Sequence, residues 1–209
     1  MFNLNKFIRK SAKNNSYTGS HKNCIILLDA SGSMNLNDWK PNRLRGAIES
    51  AEAYIHELAS KDPDACVAVV LYGTKAKIIA QLAPARNFEN LNCYLNCFMT
   101  GFATNIAAAL KAAYNICSGT HGINHVILLS DGYHNAGGNP KAISDKLKQN
   151  ATIECIGIGG SPKDVDENLM RYIASCQPDG TKQYCWIGNK EILIKHFRNS
   201  ATGLVRALS

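Results

Sequence analysis

The sequence predicts an α/β fold: a doubly wound, mainly parallel six-stranded sheet with helices on both faces. Three observations carry that expectation. Short, continuous apolar runs recur along the 209 residues, as they do in strands buried on both faces of a parallel sheet. Longer stretches lie between them, with apolar residues spaced three and four apart, the period of a helix resting one face on a core. One pair of runs is joined only by Gly73 and Thr74, a connection short enough for an antiparallel hairpin and nothing else.

Taken in order, the first strand is expected at 24–29. A helix should start at Pro41 and bury Leu44, Ile48, Ala51, Ile55 and Leu58. Asp62-Pro63-Asp64 is a turn, and strands follow at 66–72 and 75–82. The second of these bears lysines and belongs at the sheet edge. Helices are expected at 88–98 and 104–117, a fourth strand at 126–130, a helix at 140–149 and a fifth strand at 151–158. A helix at 165–176 should turn Val165, Leu169, Tyr172, Ile173 and Cys176 inward. A short strand at 183–187 and a helix at 191–208 close the chain. We expect one domain over residues 22–207, preceded by a basic extension over residues 1–21.

Composition narrows the function. The net charge is +7, but Lys6, Arg9, Lys10, Lys13 and Lys22 all precede the first acid, Asp29, so the body of the chain is nearly balanced. Basic and aromatic residues do not interleave elsewhere, which argues against nucleic-acid binding. No apolar run approaches the roughly 20 residues of a membrane span, and the first residues lack the apolar stretch of a secretory signal. A cytoplasmic location is expected. Of the eight cysteines, Cys24, Cys66 and Cys155 fall in strands and Cys93, Cys97 and Cys117 in helices, where free cysteine behaves as a small apolar residue. Cys176 and Cys185 flank a turn and are the one pair placed to approach each other.

The chemistry is concentrated where the first strand ends, at Asp29-Ala30-Ser31-Gly32-Ser33. A carboxylate and two hydroxyls at alternate positions, with a glycine to ease the turn, supply hard oxygen donors for a small divalent cation. The same letters also suit a polar turn leading into a helix cap. Two distant residues decide between these readings: Thr104, in Gly101-Phe102-Ala103-Thr104-Asn105 before an alanine-rich helix, and Asp131, at the end of the fourth strand. Together Asp29, Ser31, Ser33, Thr104 and Asp131 resemble the metal-ion-dependent adhesion site (MIDAS) of von Willebrand factor A domains, in the family's order, and the likeness extends over nearly the whole chain.

The resemblance implies a sheet order of 3-2-1-4-5-6, with the first and fourth strands adjacent where the winding reverses, the place where open α/β sheets bind ligands. It implies Mg²⁺, with Mn²⁺ or Ca²⁺ as alternatives. Ser31 and Ser33 would be direct ligands, Thr104 direct in the engaged state, and Asp29 and Asp131 would act largely through water, or with Asp131 direct in the resting state. It also implies a protein partner whose Asp or Glu completes the metal shell, and a small single-domain protein of the bacterial type. Met34, Trp39, Phe102 and Tyr133 fall on the loops that would ring the ion. Phe102 stands where many relatives have glycine.

Catalysis is not expected. A nucleophilic serine needs a base within hydrogen-bond reach, and only His134 falls near the site; His21, His56, His121, His125 and His196 read as surface or packing residues. An aspartyl phosphotransferase would carry a second aspartate at position 31, which is serine. The Gly157-x-Gly159-Gly160 stretch follows the wrong strand for a dinucleotide site. A metal-dependent hydrolase or phosphotransferase, and a scaffold in an ATPase- or kinase/phosphatase-associated stress-response complex, are the competing readings.

Overall fold

The computed structural model describes residues 22–88, 91 and 101–207. The expected extension at 1–21 with His21, Cys93 and Cys97, and all of the helix expected at 88–98 apart from Phe88 and Leu91, lie outside the described residues.

Six strands form one sheet: β1 (Lys22–Asp29), β2 (Cys66–Tyr72), β3 (Ala76–Pro84), β4 (Ile123–Ser130), β5 (Ala151–Ile158) and β6 (Tyr184–Ile187). Their order is β3-β2-β1-β4-β5-β6. All neighbours are parallel except β2 and β3, which form the expected antiparallel hairpin with β3 at the edge. Among the described residues five α-helices flank the sheet: α1 (Arg43–Lys61), α2 (Ile106–Ser118), α3 (Pro140–Leu147), α4 (Glu167–Ile173) and α5 (Lys190–Ala207).

β1 is the axis of the molecule, and alternation along it divides the core in two. Cys24, Ile26 and Leu28 face the layer of α1 and α5, with Ile48, Ala51, Tyr54, Leu193 and Phe197. Ile25 and Leu27 face the layer of α2, α3 and α4, with Ile106, Leu110, Leu147, Met170 and Ile173. With both faces covered, the strand can be apolar throughout, which is why its sequence is a run and not an alternation. The Tyr72 hydroxyl donates to the Leu129 carbonyl at 2.9 Å, linking the two strands on either side of β1. Burial pushes the Cys24 thiol up to about 12 and the Cys117 thiol up to about 11, so both serve as packing residues.

Several boundaries moved for local reasons. Helix α1 begins after Asn42, whose side chain accepts the Arg45 N–H, so Pro41 precedes the cap instead of opening the helix. Helix α2 is capped by Asn105, which accepts the Ala108 N–H at 3.0 Å, leaving Thr104 in the loop before it. Helix α4 is only seven residues long. A 3-10 turn closed by a Ser161–Asp164 capping box precedes it, and Asp166 caps it. Tyr172 and Cys176, expected inward, are exposed. The Tyr172 hydroxyl donates to Asp145, and the Lys141 and Lys148 ammonium groups lie over its ring. Cys176 pairs across a bridge with Lys182, three residues short of Cys185, and both cysteines are free thiols.

Two histidines expected at the surface or in packing perform a specific task. His125 on β4 and His196 on α5 both hydrogen-bond the Glu154 carboxylate of β5, at 3.2 and 2.6 Å, and the Ser200 hydroxyl donates to it at 2.9 Å. Burial alone would raise the Glu154 carboxyl, but the two imidazoles outweigh it and hold the group well below the ordinary carboxylate range. The Cys185 sulfur and Glu154 raise His196 to about 10. This clamp fastens α5 to the sheet at the end away from the strand tips that carry the candidate site.

Helix α5 is also fastened by Phe197, fully buried and edge-on to Tyr54 of α1, with ring centroids 5.9 Å apart at 84°. Phe197→Ala should lower the unfolding free energy by about 3–5 kcal/mol in urea denaturation; a loss under 1 kcal/mol would show that this contact does not hold the helix.

Candidate metal centre

The register of the central strands brings the candidate residues together. Leu28 pairs with Leu129, so the next residues, Asp29 and Ser130, end adjacent strands, and Asp131 follows immediately. This is where the winding reverses, since β2 lies on one side of β1 and β4 on the other. Beyond β1 the chain turns through a short 3-10 segment (Gly32–Asn35), which holds Ser31 and Ser33 over the strand ends. The Gly32 N–H donates to the Phe102 carbonyl at 3.2 Å, tying this turn to the Thr104 loop.

Within this frame Asp29, Ser31, Ser33 and Asp131 are linked by hydrogen bonds, and Thr104 lies across Gly132 from Ser33. The Ser31 and Ser33 hydroxyl oxygens are 3.2 Å apart. Ser33 donates to Asp131 Oδ1 at 2.7 Å. The Ser31 N–H donates to Asp29 Oδ1 at 2.9 Å, and the Ser130 hydroxyl donates to Asp29 Oδ2 at 2.8 Å. Gly132 faces the hydroxyls of Thr104 and Ser33: a Cβ there would lie 3.5 Å from Thr104 Oγ1 and 3.9 Å from Ser33 Oγ. Thr104 is held by a reciprocal pair of bonds with Asn135, its N–H donating to Asn135 Oδ1 at 2.9 Å and its carbonyl accepting the Asn135 N–H at 3.1 Å.

The chemistry of this donor set fits a hard divalent cation. Every donor is oxygen, and Asp29, Ser31, Thr104 and Asp131 are buried. Burial, then the neighbouring Asp131 carboxylate, push Asp29 up to about 7, against the hydrogen bonds from Ser31 and Ser130. Burial also raises Asp131, opposed by Ser33 and Arg43. Two carboxylates that repel each other out of water form a site whose energy falls when a cation is held beside them. Among the described residues no group of three or more His, Cys, Asp or Glu side chains is arranged to hold a metal, so the mixed carboxylate–hydroxyl set is the candidate.

The surrounding loops differ in part from expectation. Phe102 and Tyr133 are exposed, joined by Leu36. Met34 is buried, and so is Trp39, for which packing under its own loop was as much expected as exposure; the Trp39 indole N–H donates to the Gly188 carbonyl at 3.1 Å, which draws the ring under that loop. His134 is not beside the serines as a base. Its Nδ1 accepts the Ile106 N–H at 3.2 Å and its Nε2 donates to the Gly138 carbonyl at 2.9 Å, so both ring nitrogens are used to fasten the loop to the start of α2. Residues that sequence reading missed include Ser130, adjacent to Asp131 but silent as a motif, and the pair Arg43 and Asp38. Arg43 Nη1 donates to Asp131 Oδ2 at 3.0 Å, and its other nitrogens grip Asp38.

Comparison with known proteins agrees with this fold. The family model for the von Willebrand factor type A domain matches residues 23–185, and the chain belongs to that family of protein-interaction and metal-binding modules. No curated protein is similar in sequence. Among solved structures, a von Willebrand factor type A protein from Catenulispora acidiphila superposes with a TM-score of 0.74 at 23% identity, over 90% of this chain and 43% of that one. BatB from Bacteroides thetaiotaomicron gives 0.69 at 18% identity, over 88% of this chain and 99% of that one. Proximal thread matrix protein 1 of the mussel byssus, in a structure with a zinc-occupied MIDAS motif, gives 0.65 at 19% identity, over 87% and 47%. The chain spans less than half the length of the first and last of these. Identities this low establish the shared fold. Among the described residues, no helix is long and apolar enough to cross a membrane.

The raised Asp29 makes metal-free stability depend on pH. The folded protein keeps that proton up to about pH 7, whereas the unfolded chain releases it near 3.8. The folded state therefore binds more protons across that window, and stability falls as pH rises through it. With chelator present, the melting temperature of Asp29→Asn should decline less than that of wild type from pH 4 to pH 7; identical slopes would mean that Asp29 ionises freely in the fold.

Proposed function

We propose that this domain is a divalent-metal-dependent protein-binding module in which Ser31, Ser33, Thr104, Asp29 and Asp131 hold the ion and an acidic side chain of a partner completes its shell. The carrying observation is the Asp131–Ser33–Ser31 chain of contacts closed by Asp29 on the neighbouring strand. Because Ser33 donates its hydroxyl proton to Asp131, Ser31 is the donor in the contact between the two serines, which leaves one Ser33 lone pair to face a cation, and because Asp29 orients the Ser31 backbone, the second hydroxyl is held beside the first. Both aspartates already spend their oxygens on these bonds, which suits a supporting role through hydroxyls and water. Bound Mg²⁺ supplies an electrophile short of ligands; Mn²⁺ and Ca²⁺ take the same oxygen donors.

The surface around the site favours a protein as the ligand. Leu36, Phe102 and Tyr133 come from three separate loops and present exposed apolar area, Phe102 being 76% exposed. Large side chains around a polar centre supply contact area that a protein partner fills. A non-catalytic role is supported by His134, whose two nitrogens are committed to backbone groups. The proposal includes a domain over residues 22–207 with a basic extension over 1–21, and a cytoplasmic setting that suits the buried free thiols Cys24, Cys117 and Cys155.

Selection from a displayed peptide library in Mg²⁺ tests this reading. Retained peptides should share an Asp or Glu whose conversion to Asn or Gln abolishes binding, EDTA should release them, and Asp29→Ala and Ser31→Ala should fail to retain them. Equal retention in EDTA would remove the metal from the mechanism. Metal-dependent phosphoester turnover that is lost in Asp131→Ala would replace the binding module with an enzyme.

A further inference from the structure

Arg43 is the first residue of a 19-residue helix and is 5% exposed. Its guanidinium forks between two acids. Nε donates to both oxygens of Asp38 at 3.0 and 3.1 Å, Nη2 donates to Asp38 Oδ2 at 2.6 Å, and Nη1 donates to Asp131 Oδ2 at 3.0 Å. The Asp131 side chain is fully buried, whereas that of Asp38 is 37% exposed. We propose that Arg43 is a built-in counter-cation that competes with the divalent ion for Asp131, and that Asp38 sets the strength of the competition. The inference rests on the metal-binding reading above and specifies what tunes it.

The argument is one of charge and confinement. A carboxylate removed from water needs a partner, and among the described residues Arg43 is the cation bonded to Asp131. When a dication occupies the neighbouring hydroxyls, Arg43 has nowhere to go. Its backbone is fixed in the helix, and a bidentate pair holds the fork to Asp38. On the remaining side, a Cβ at Gly159 would sit 3.4 Å from Arg43 Nη1 and 3.4 Å from Asp164 Oδ2, so the chain closes there around a third acid. Two cations must then share Asp131, and their repulsion weakens metal binding. Asp38 draws part of the guanidinium charge outward and limits that repulsion. The arrangement keeps the empty site folded while holding its affinity below what the oxygens alone would give.

Calorimetric titration of the full chain with Mn²⁺ and with Mg²⁺, together with melting temperatures in EDTA, tests this. Arg43→Met should bind metal on the order of tenfold more tightly, the effect of deleting one nearby like charge in partly hydrated protein, while melting lower in EDTA. Arg43→Lys, which keeps the charge, should stay near wild type in affinity. Asp38→Asn should bind several-fold more weakly in the wild-type background and change little in the Arg43→Met background, because its effect passes through Arg43. Unchanged or weaker binding by Arg43→Met, or an equal Asp38→Asn effect in both backgrounds, would overturn the inference while leaving the metal site standing. Wild type that takes up neither metal would overturn both. If Arg43→Met does not fold, Arg43→Gln serves in the same cycle.

Discussion

The structure turns on burying two carboxylates side by side. Asp29 and Asp131 end adjacent strands, both out of water, and each raises the cost of the other's charge. A chain that keeps such a pair must surround it with groups that offset the repulsion, and the local architecture supplies them. Ser130 and the Ser31 N–H serve Asp29, Ser33 and Arg43 serve Asp131, and Asp38 holds Arg43 in place. The sheet topology makes the pair adjacent: β1 and β4 are neighbours only because the winding reverses between them.

The two ends of the sheet treat buried acid differently. At the strand tips, the aspartates rely on hydroxyls, one backbone N–H and, at Asp131 alone, an arginine, and their charge remains costly. Near the opposite end, Glu154 is met by two imidazoles and a serine, and its carboxyl is held below the ordinary range. A satisfied acid pins α5 to the sheet; an underserved pair leaves free energy for a cation to gain. The contrast separates a structural use of a buried charge from the binding use proposed for the aspartate pair.

Much of this was legible in the sequence, for identifiable reasons. Strands buried on both faces must be apolar throughout, so β1, β2 and β5 stand out as runs, and the hairpin between β2 and β3 follows from its two-residue connection. Asp29, Ser31 and Ser33 stood out as alternate oxygen donors at a strand end, and Thr104 and Asp131 were joined to them through the resemblance to the von Willebrand factor A site. Arg43 and Asp38 could not, since an arginine at a helix start and an aspartate in a loop look alike whether they face solvent or a buried acid. His125, Glu154 and His196 lie on three different elements, and only the folded chain places them together. The errors at Tyr172 and Cys176 have different causes: Cys176 lies beyond Ala174, where α4 ends, whereas Tyr172 lies within α4 on its outer side, where its hydroxyl meets Asp145.

The central claim is that the hydroxyls of Ser31 and Ser33, backed by Asp29 and Asp131, hold a divalent ion. Anomalous scattering from crystals of the protein grown with saturating Mn²⁺ addresses it directly. The account predicts one strong peak bonded to both serine hydroxyls at the ends of β1 and β4. No peak at that position, or manganese bound only elsewhere on the molecule, would contradict it.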